Sequence, residues 1–181
     1  MVEELPYLIT VNVKSGKKFH IVHAEFPTGN VVTDEILADR VALHRLATIK
    51  RGDGEAVLWS RAIFGPLYDV NLQNKDKIVR TLAYRQSSHM FNPELSHIIS
   101  GHTIVHHPIT VDGQTNIDTG AADSYWKTFP NMHSSKIEPP KWAALTCVDL
   151  DEWKFYQATT TTFKEVEPMV ITKEDMTNVR H

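Results

Sequence analysis

The stretch that decides the fold is His97-Ile98-Ile99-Ser100-Gly101-His102-Thr103. Its apolar run predicts a short buried strand, and Gly101 frees the backbone where that strand ends. Residues 18–23 have the same form, an apolar strand that ends next to His23. Loops at strand ends are where a rigid scaffold holds functional side chains. The two stretches therefore predict that His23 and His102 lie at the rim of a sheet as metal ligands.

The histidine content of the chain is high, with ten histidines in 181 residues. Imidazole suits zinc, iron, nickel or copper, and it tolerates manganese beside carboxylates. His20 is a poor partner for His23, because residues three apart on a strand point to opposite faces. His106 and His107 are interpreted as exposed strand histidines, with a role as extra ligands as the alternative. Two histidines alone make an incomplete site, since a stable one needs more protein ligands.

Four motifs occur in an order that resembles the phage-type, lambda-like serine/threonine protein phosphatases, which are calcineurin-like metallophosphoesterases. The motifs are Leu5–Ile9 with Lys17–Pro27, Val57–Arg61, His97–Thr103 and Asn116–Ala121. The resemblance implies that His23 and His102 bind metal and that Arg61 holds the phosphate. It also implies an α/β (α+β) fold, with mixed β-sheet layers and flanking helices as part of a four-layer sandwich.

The three opening motifs of that family are absent from the 181 residues: Asp-x-His, Gly-Asp-x-x-Asp-Arg-Gly and Gly-Asn-His-Glu. Residues 34–40 and 131–133 imitate two of them with the wrong spacing. The resemblance therefore implies the C-terminal half of a phosphatase. In this interpretation residues 1–163 are the C-terminal portion of the metallophosphoesterase domain, residues 68–94 are an insertion, and residues 164–181 are a loose C-terminal tail.

The implied chemistry is metal-dependent hydrolysis of phosphate monoesters. Two divalent metals about 3.5–4 Å apart would clamp the phosphate and acidify a bridging water. The metal is expected to be Mn, with Fe, Zn or Ni as alternatives, and the isolated chain could also hold none. Arg61 would bind two phosphate oxygens through its planar fork. Glu25 replaces the family's aspartate, which leaves the geometry around the metal ligands open, and Asp118 is expected to support a turn.

Composition excludes several classes of partner. The net charge is −3 and the pI about 6.3, so bulk attraction to nucleic acid is not expected. No apolar run is long enough for a membrane-spanning helix. The single Cys147 excludes an internal disulfide and any multi-cysteine zinc site. Cytoplasmic residence is the default expectation, in the host cytoplasm if a phage encodes the chain.

Periodicity and turn residues predict the secondary structure. We expect three hairpins, of 7–13 with 18–22, of 103–110 with 114–117 and of 142–150 with 153–162, and a strand at 97–100. We also expect helices at 33–49 and 78–88, a short helix or irregular segment at 55–64, and a long loop at 119–140. Asp34 is the expected N-terminal cap of the first helix.

Three hypotheses about function stay open. In the first, a separate polypeptide or a longer natural chain supplies the missing ligands, and the substrate is a phosphoprotein or a small phosphate ester. In the second, the chain is an inactive phosphatase relative that binds protein through residues 68–94 and 124–129. In the third, His23 and His102 recruit His106, Asp123 or a ligand from a second subunit. Half of a two-sheet fold exposes apolar surface, so a protein partner or self-association is expected.

Overall fold

The computed structural model describes residues 6–25, 32–48, 60–61, 63–67, 74–85, 92, 94–111, 113–121 and 143–179. Within these ranges the chain forms nine strands and four α-helices, so the predicted mixed α+β class is confirmed. The elements are β1 (Leu8–Asn12), β2 (Lys18–Val22), α1 (Asp34–Ala38), α2 (Arg40–Thr48), a 3-10 helix (Gly65–Leu67), α3 (Lys75–Arg85), β3 (His97–Ser100), β4 (Ile109–Val111), β5 (Gln114–Asn116), β6 (Leu145–Asp149), β7 (Lys154–Ala158), β8 (Phe163–Val166), β9 (Met169–Ile171) and α4 (Lys173–Asn178). No helix in these ranges is long and apolar enough to span a bilayer.

The strands form two sheets. The larger is a six-stranded mixed sheet in the order β1-β2-β3-β5-β4-β9, and the smaller is the antiparallel sheet β6-β7-β8. In the larger sheet β3 lies parallel to both β2 and β5, whereas β1 pairs antiparallel with β2. Because parallel strands run in one direction, the carboxyl ends of β2 and β3 meet at the same edge of the sheet.

Helices cover one face of the larger sheet. Val22 and Ile98 pack with Leu37 of α1 in one apolar cluster. A second cluster joins Ile109 and Ile171 to the buried side of α3 and to α4. Since α3 lies within residues 68–94, this part of the proposed insertion contributes to the main core.

The smaller sheet covers the opposite face. Phe19 and His97 are paired across β2 and β3, so both side chains leave the sheet on the same side. Trp153 stacks on Phe19 with ring centroids 5.3 Å apart and meets the His97 ring edge-on at 4.8 Å. Further along, the hydroxyls of Thr119 and Thr146 are 2.7 Å apart. These contacts place two sheets face to face, with helices on the outer side of one of them.

The helix predicted at 33–49 is two helices, which corrects the expectation of one. Asp39 has extended backbone angles, φ −81° and ψ 111°, and separates α1 from α2. Its carboxylate accepts hydrogen bonds from the N–H groups of Val41 and Ala42, so Asp39 caps α2. The cap of α1 is Thr33, whose side chain accepts from the N–H of Ile36, and not Asp34 as predicted.

Asp34 instead fastens α1 to the sheet. Its carboxylate accepts the backbone N–H of Ser96 at 2.7 Å, the Ser96 hydroxyl at 2.6 Å and His20 Nε2 at 2.9 Å. Lys18 Nζ donates to it at 2.9 Å. Burial alone raises the pKa of the Asp34 carboxyl, but the hydrogen bonds from Ser96, Lys18 and His20 outweigh burial and hold the pKa below its usual range.

The C-terminal tail is ordered, so the expectation that residues 164–181 are loose is wrong for the described part. Residues 164–166 belong to β8, and β9 pairs in parallel with β4, where Ile171 is fully buried. Thr172 and Asp175 then form a capping box that begins α4. The apolar residues of the tail are few, but the sheet and α3 bury Ile171 and Met176.

All three predicted hairpins are confirmed, as β1 with β2, β4 with β5 and β6 with β7. Strand β4 is shorter than predicted, because residues 101–108 bend between β3 and β4. The helix predicted at 78–88 is α3, which starts earlier. The predictions for residues 55–64 and 119–140 fall largely outside the described residues.

Protonation of His97 should make stability depend on pH. Burial between the sheets lowers the pKa of His97 to about 4 from an ordinary value of 6.5. Between these values the unfolded chain binds a proton that the folded chain does not, so stability falls as pH falls. Acidification from about pH 7.5 to 4.5 should lower the free energy of unfolding of the wild type by about 2.5 kcal/mol more than that of His97→Gln. Urea unfolding at the two pH values measures this difference. Equal pH dependence in both proteins would contradict this assignment.

Candidate metal centre

Parallel pairing of β2 and β3 brings the two predicted ligands together. Ile21 lies opposite Ile99. His23 follows Ile21 by two residues, and His102 follows Ile99 by three. The pairing continues beyond the strands, because the N–H of Gly101 donates to the carbonyl of His23 at 3.1 Å. His23 and His102 therefore emerge at the same edge of the sheet.

The imidazoles of His23 and His102 are in direct contact. Nε2 of His23 lies 3.1 Å from Nδ1 of His102. The ring centroids are 4.7 Å apart and the ring planes are inclined by 51°. In the absence of a cation, this contact is a hydrogen bond in which one ring presents N–H and the other a bare nitrogen.

The separation of the two nitrogens fits adjacent positions around one cation. With metal–nitrogen bonds of about 2.0–2.1 Å, a 3.1 Å separation corresponds to an angle of about 95–100° at the metal. This angle lies between the octahedral value of about 90° and the tetrahedral value of about 109°. A cation in this position would replace the shared proton, because both nitrogens must then offer lone pairs.

His102 has an unusual backbone. Its φ is 67°, in the left-handed region that residues with a side chain rarely adopt. The N–H of Thr103 donates to the carbonyl of Gly101 at 2.8 Å and closes a γ-turn with His102 at its centre. The sequence had pointed to Gly101 as the residue with special backbone freedom, and the left-handed residue is instead His102. Such conformations cost about 1–3 kcal/mol and cluster at functional sites.

Two imidazoles meet at this edge of the sheet without a larger ligand cluster among the described residues. Among them, no group of three or more histidine, cysteine, aspartate or glutamate side chains is arranged to hold a metal ion. Asp118 accepts the N–H of Gly120 at 3.1 Å, which confirms its expected role in a turn. His107 donates to the carbonyl of Glu167, and burial lowers the pKa of His106. A complete centre would need donors from beyond these residues.

A pocket of about 590 Å³ lies beside the histidine pair. Its walls come from both sheets, with Ile21, Ile99 and Ile117 on one side and Ala144 and Thr146 on the other. The polar lining includes the two histidines and Asp118. The pocket therefore joins an apolar cleft to the candidate metal ligands.

Arg61 is exposed, and the part of the chain that the structure describes gives its side chain no ion pair. The surface salt bridge that is the ordinary role of a lone arginine is thus not formed within that part. Arg61 does not line the pocket beside the histidines. The structure brings His23 and His102 together and leaves Arg61 outside their immediate contact.

Glu25 is a buried residue near the site whose role the sequence did not reveal. It is 1% exposed, and its carboxylate accepts the N–H groups of Ile63 and Phe64, each at 2.6 Å. The hydroxyl of Ser60 donates to the same carboxylate at 3.3 Å. The side chain thus contacts the segment that bears Arg61. The only sequence signal was an acidic residue two positions after His23.

No protein-family model matches the sequence, and no curated protein matches it.

The strain at His102 can be measured by two substitutions that both remove the imidazole. Glycine adopts a positive φ without steric cost, whereas alanine retains the cost. We therefore expect His102→Gly to be more stable than His102→Ala by about 1 kcal/mol in urea unfolding. Equal stability, or a more stable alanine variant, would contradict the γ-turn geometry.

Proposed function

We propose that this chain is a calcineurin-like metallophosphoesterase of the serine/threonine phosphatase type, and that His23 and His102 hold a divalent cation there. The remaining ligands would come from a separate polypeptide or from residues outside the described ranges. The observation that carries the proposal is the 3.1 Å separation of two imidazole nitrogens at the ends of parallel strands. The order of the four sequence motifs supports the same family.

The proposal also includes the detailed fold, which is a calcineurin-like four-layer sandwich. Two sheets that meet face to face, with helices on the outer face of the larger one, would make up three of the layers of a four-layer sandwich. In this view the metal centre sits at the carboxyl edge of β2 and β3. Functional groups are commonly placed by loops at such strand ends.

The proposed roles of this chain's residues follow from their chemistry. Nε2 of His23 and Nδ1 of His102 would each donate a lone pair to the cation, which is Mn in the first instance, with Fe, Zn or Ni as alternatives. When bound, such cations supply Lewis acidity and a more acidic water. Arg61 would hold phosphate oxygens through its guanidinium. The substrate would be a phosphoprotein or a small phosphate ester.

A second candidate function is protein binding without catalysis. The outer side of the smaller sheet is apolar, with Leu145 54% and Phe163 73% exposed. Both residues pair with Ala158 of β7, so all three lie on one face. Tyr156 stacks on Phe163 with ring centroids 5.7 Å apart. Exposed apolar surfaces of this kind often mark protein contacts.

Zinc binding tests the role of the histidine pair. By isothermal titration calorimetry of the full chain, we expect one zinc ion per chain, and a loss of affinity of at least about tenfold in His23→Ala and in His102→Ala. His107→Gln is the matched control, because it removes an imidazole outside the pair but retains a donor for the Glu167 carbonyl. Equal affinity in all four proteins would contradict the proposal.

Catalysis by the chain alone should be near background. Without further ligands the centre is incomplete, so we expect negligible hydrolysis of p-nitrophenyl phosphate with Mn²⁺. Addition of a polypeptide that carries the three missing motifs should raise the rate, and His102→Ala should abolish the gain. Phosphatase-like turnover by the chain alone, sensitive to His102→Ala, would contradict the need for outside ligands and favour a reduced site.

The apolar face of the smaller sheet gives a prediction for association. If Leu145 and Phe163 contact another chain, Phe163→Lys should shift the sedimentation velocity profile toward the monomer at concentrations where the wild type associates. Glu35→Lys is the control, because it changes charge at an exposed residue of α1, away from this face. A wild-type protein that stays monomeric over a wide concentration range would exclude self-association through this face.

A further inference from the structure

We infer that Glu25 is a positioning residue for Arg61: its buried carboxylate fixes the arginine-bearing segment relative to the strand that ends at His23. This inference rests on the proposed function, in which Arg61 binds a phosphate and the cation on His23 and His102 sets the position of that phosphate. Glu25 itself would contact neither phosphate nor metal. It would act only through the backbone and side chain of residues 60–64.

The contacts of Glu25 reach both ends of that segment. One carboxylate oxygen accepts the N–H of Ile63 at 2.6 Å and the hydroxyl of Ser60 at 3.3 Å. The other accepts the N–H of Phe64 at 2.6 Å. Arg61 lies between these donors, so its backbone is held on both sides by one side chain.

The path from Glu25 to the histidine pair is short. Two residues separated by one position lie at most about 7 Å apart along an extended chain. Ala24, the residue between His23 and Glu25, is 1% exposed, so this connection is packed. A displacement of the arginine segment relative to His23 would therefore break the hydrogen bonds of a buried carboxyl group, which is costly.

Two further features restrict the segment. Ile63, Phe64 and Leu67 are buried in the core cluster that includes α3, so the residues after Arg61 are held by packing. The N–H of Gly65 donates to the carbonyl of Arg61 at 3.0 Å and closes a tight turn. A Cβ atom at Gly65 would lie 2.8 Å from Cβ of Arg61. The backbone on the C-terminal side of Arg61 is therefore restricted both by packing and by this turn.

A double-mutant cycle separates positioning from general stabilisation. The probe is orthophosphate binding to the Mn²⁺-saturated full chain, followed by broadening of the ³¹P signal. We expect Arg61→Ala to weaken phosphate affinity about tenfold or more, and Glu25→Gln to weaken it about fivefold. In the Arg61→Ala background, Glu25→Gln should change the affinity less than about twofold. Mn²⁺ affinity should stay within about twofold throughout.

Gly65→Ala is the second variant, needed because Glu25→Gln could unfold the protein. It leaves the buried carboxylate intact and crowds Cβ of Arg61 directly. We expect weaker phosphate binding with unchanged Mn²⁺ binding, and again no effect in the Arg61→Ala background. A general loss of stability would instead affect both backgrounds equally.

The outcomes distinguish the inference from the proposed function. If Arg61→Ala does not alter phosphate affinity, the proposed phosphate site fails and the inference fails with it. If Arg61→Ala weakens phosphate binding but Glu25→Gln and Gly65→Ala do not, only the inference is overturned. Additive effects of the Glu25 and Arg61 substitutions would overturn it equally. Effects that vanish without the arginine support it.

Discussion

The parallel pairing of β2 with β3, in the register that sets Ile21 opposite Ile99, is the interaction on which the rest of the candidate site depends. A slip of one residue would turn His23 to the other face and separate the two imidazoles. The register is fixed from both sides of the sheet. Leu37 packs with Val22 and Ile98 on the helical side, and Trp153 stacks over Phe19 on the other.

Two carboxylates, the partly buried Asp34 and the buried Glu25, connect neighbouring segments of the chain to this pair of strands. Asp34 joins α1 to the residue before β3 through Ser96, and Glu25 joins the segment of Arg61 to the residues after β2. Both carboxylates accept short hydrogen bonds from backbone N–H groups. The same chemistry therefore places a helix on one side of β2 and the candidate phosphate ligand near its end.

The sequence predicted the strands that end at His23 and His102 and all three hairpins, because apolar runs and turn residues are local signals. It did not predict the break at Asp39, the left-handed backbone of His102 or the order of the tail. The last two depend on distant partners: the γ-turn is stabilised by contacts between two strands, and β9 by β4. The role of Glu25 was hidden for the same reason, since its partners lie 35 to 39 residues away.

The central claim is that one cation binds Nε2 of His23 and Nδ1 of His102 together. The most direct measurement is nuclear magnetic resonance of the full chain with ¹⁵N-labelled histidine during titration with Zn²⁺. The account predicts that these two nitrogens move to metal-bound shifts in step and saturate at one ion per chain, while His20 and His97 stay unchanged. Shifts confined to other histidines, or to only one of the pair, would contradict it.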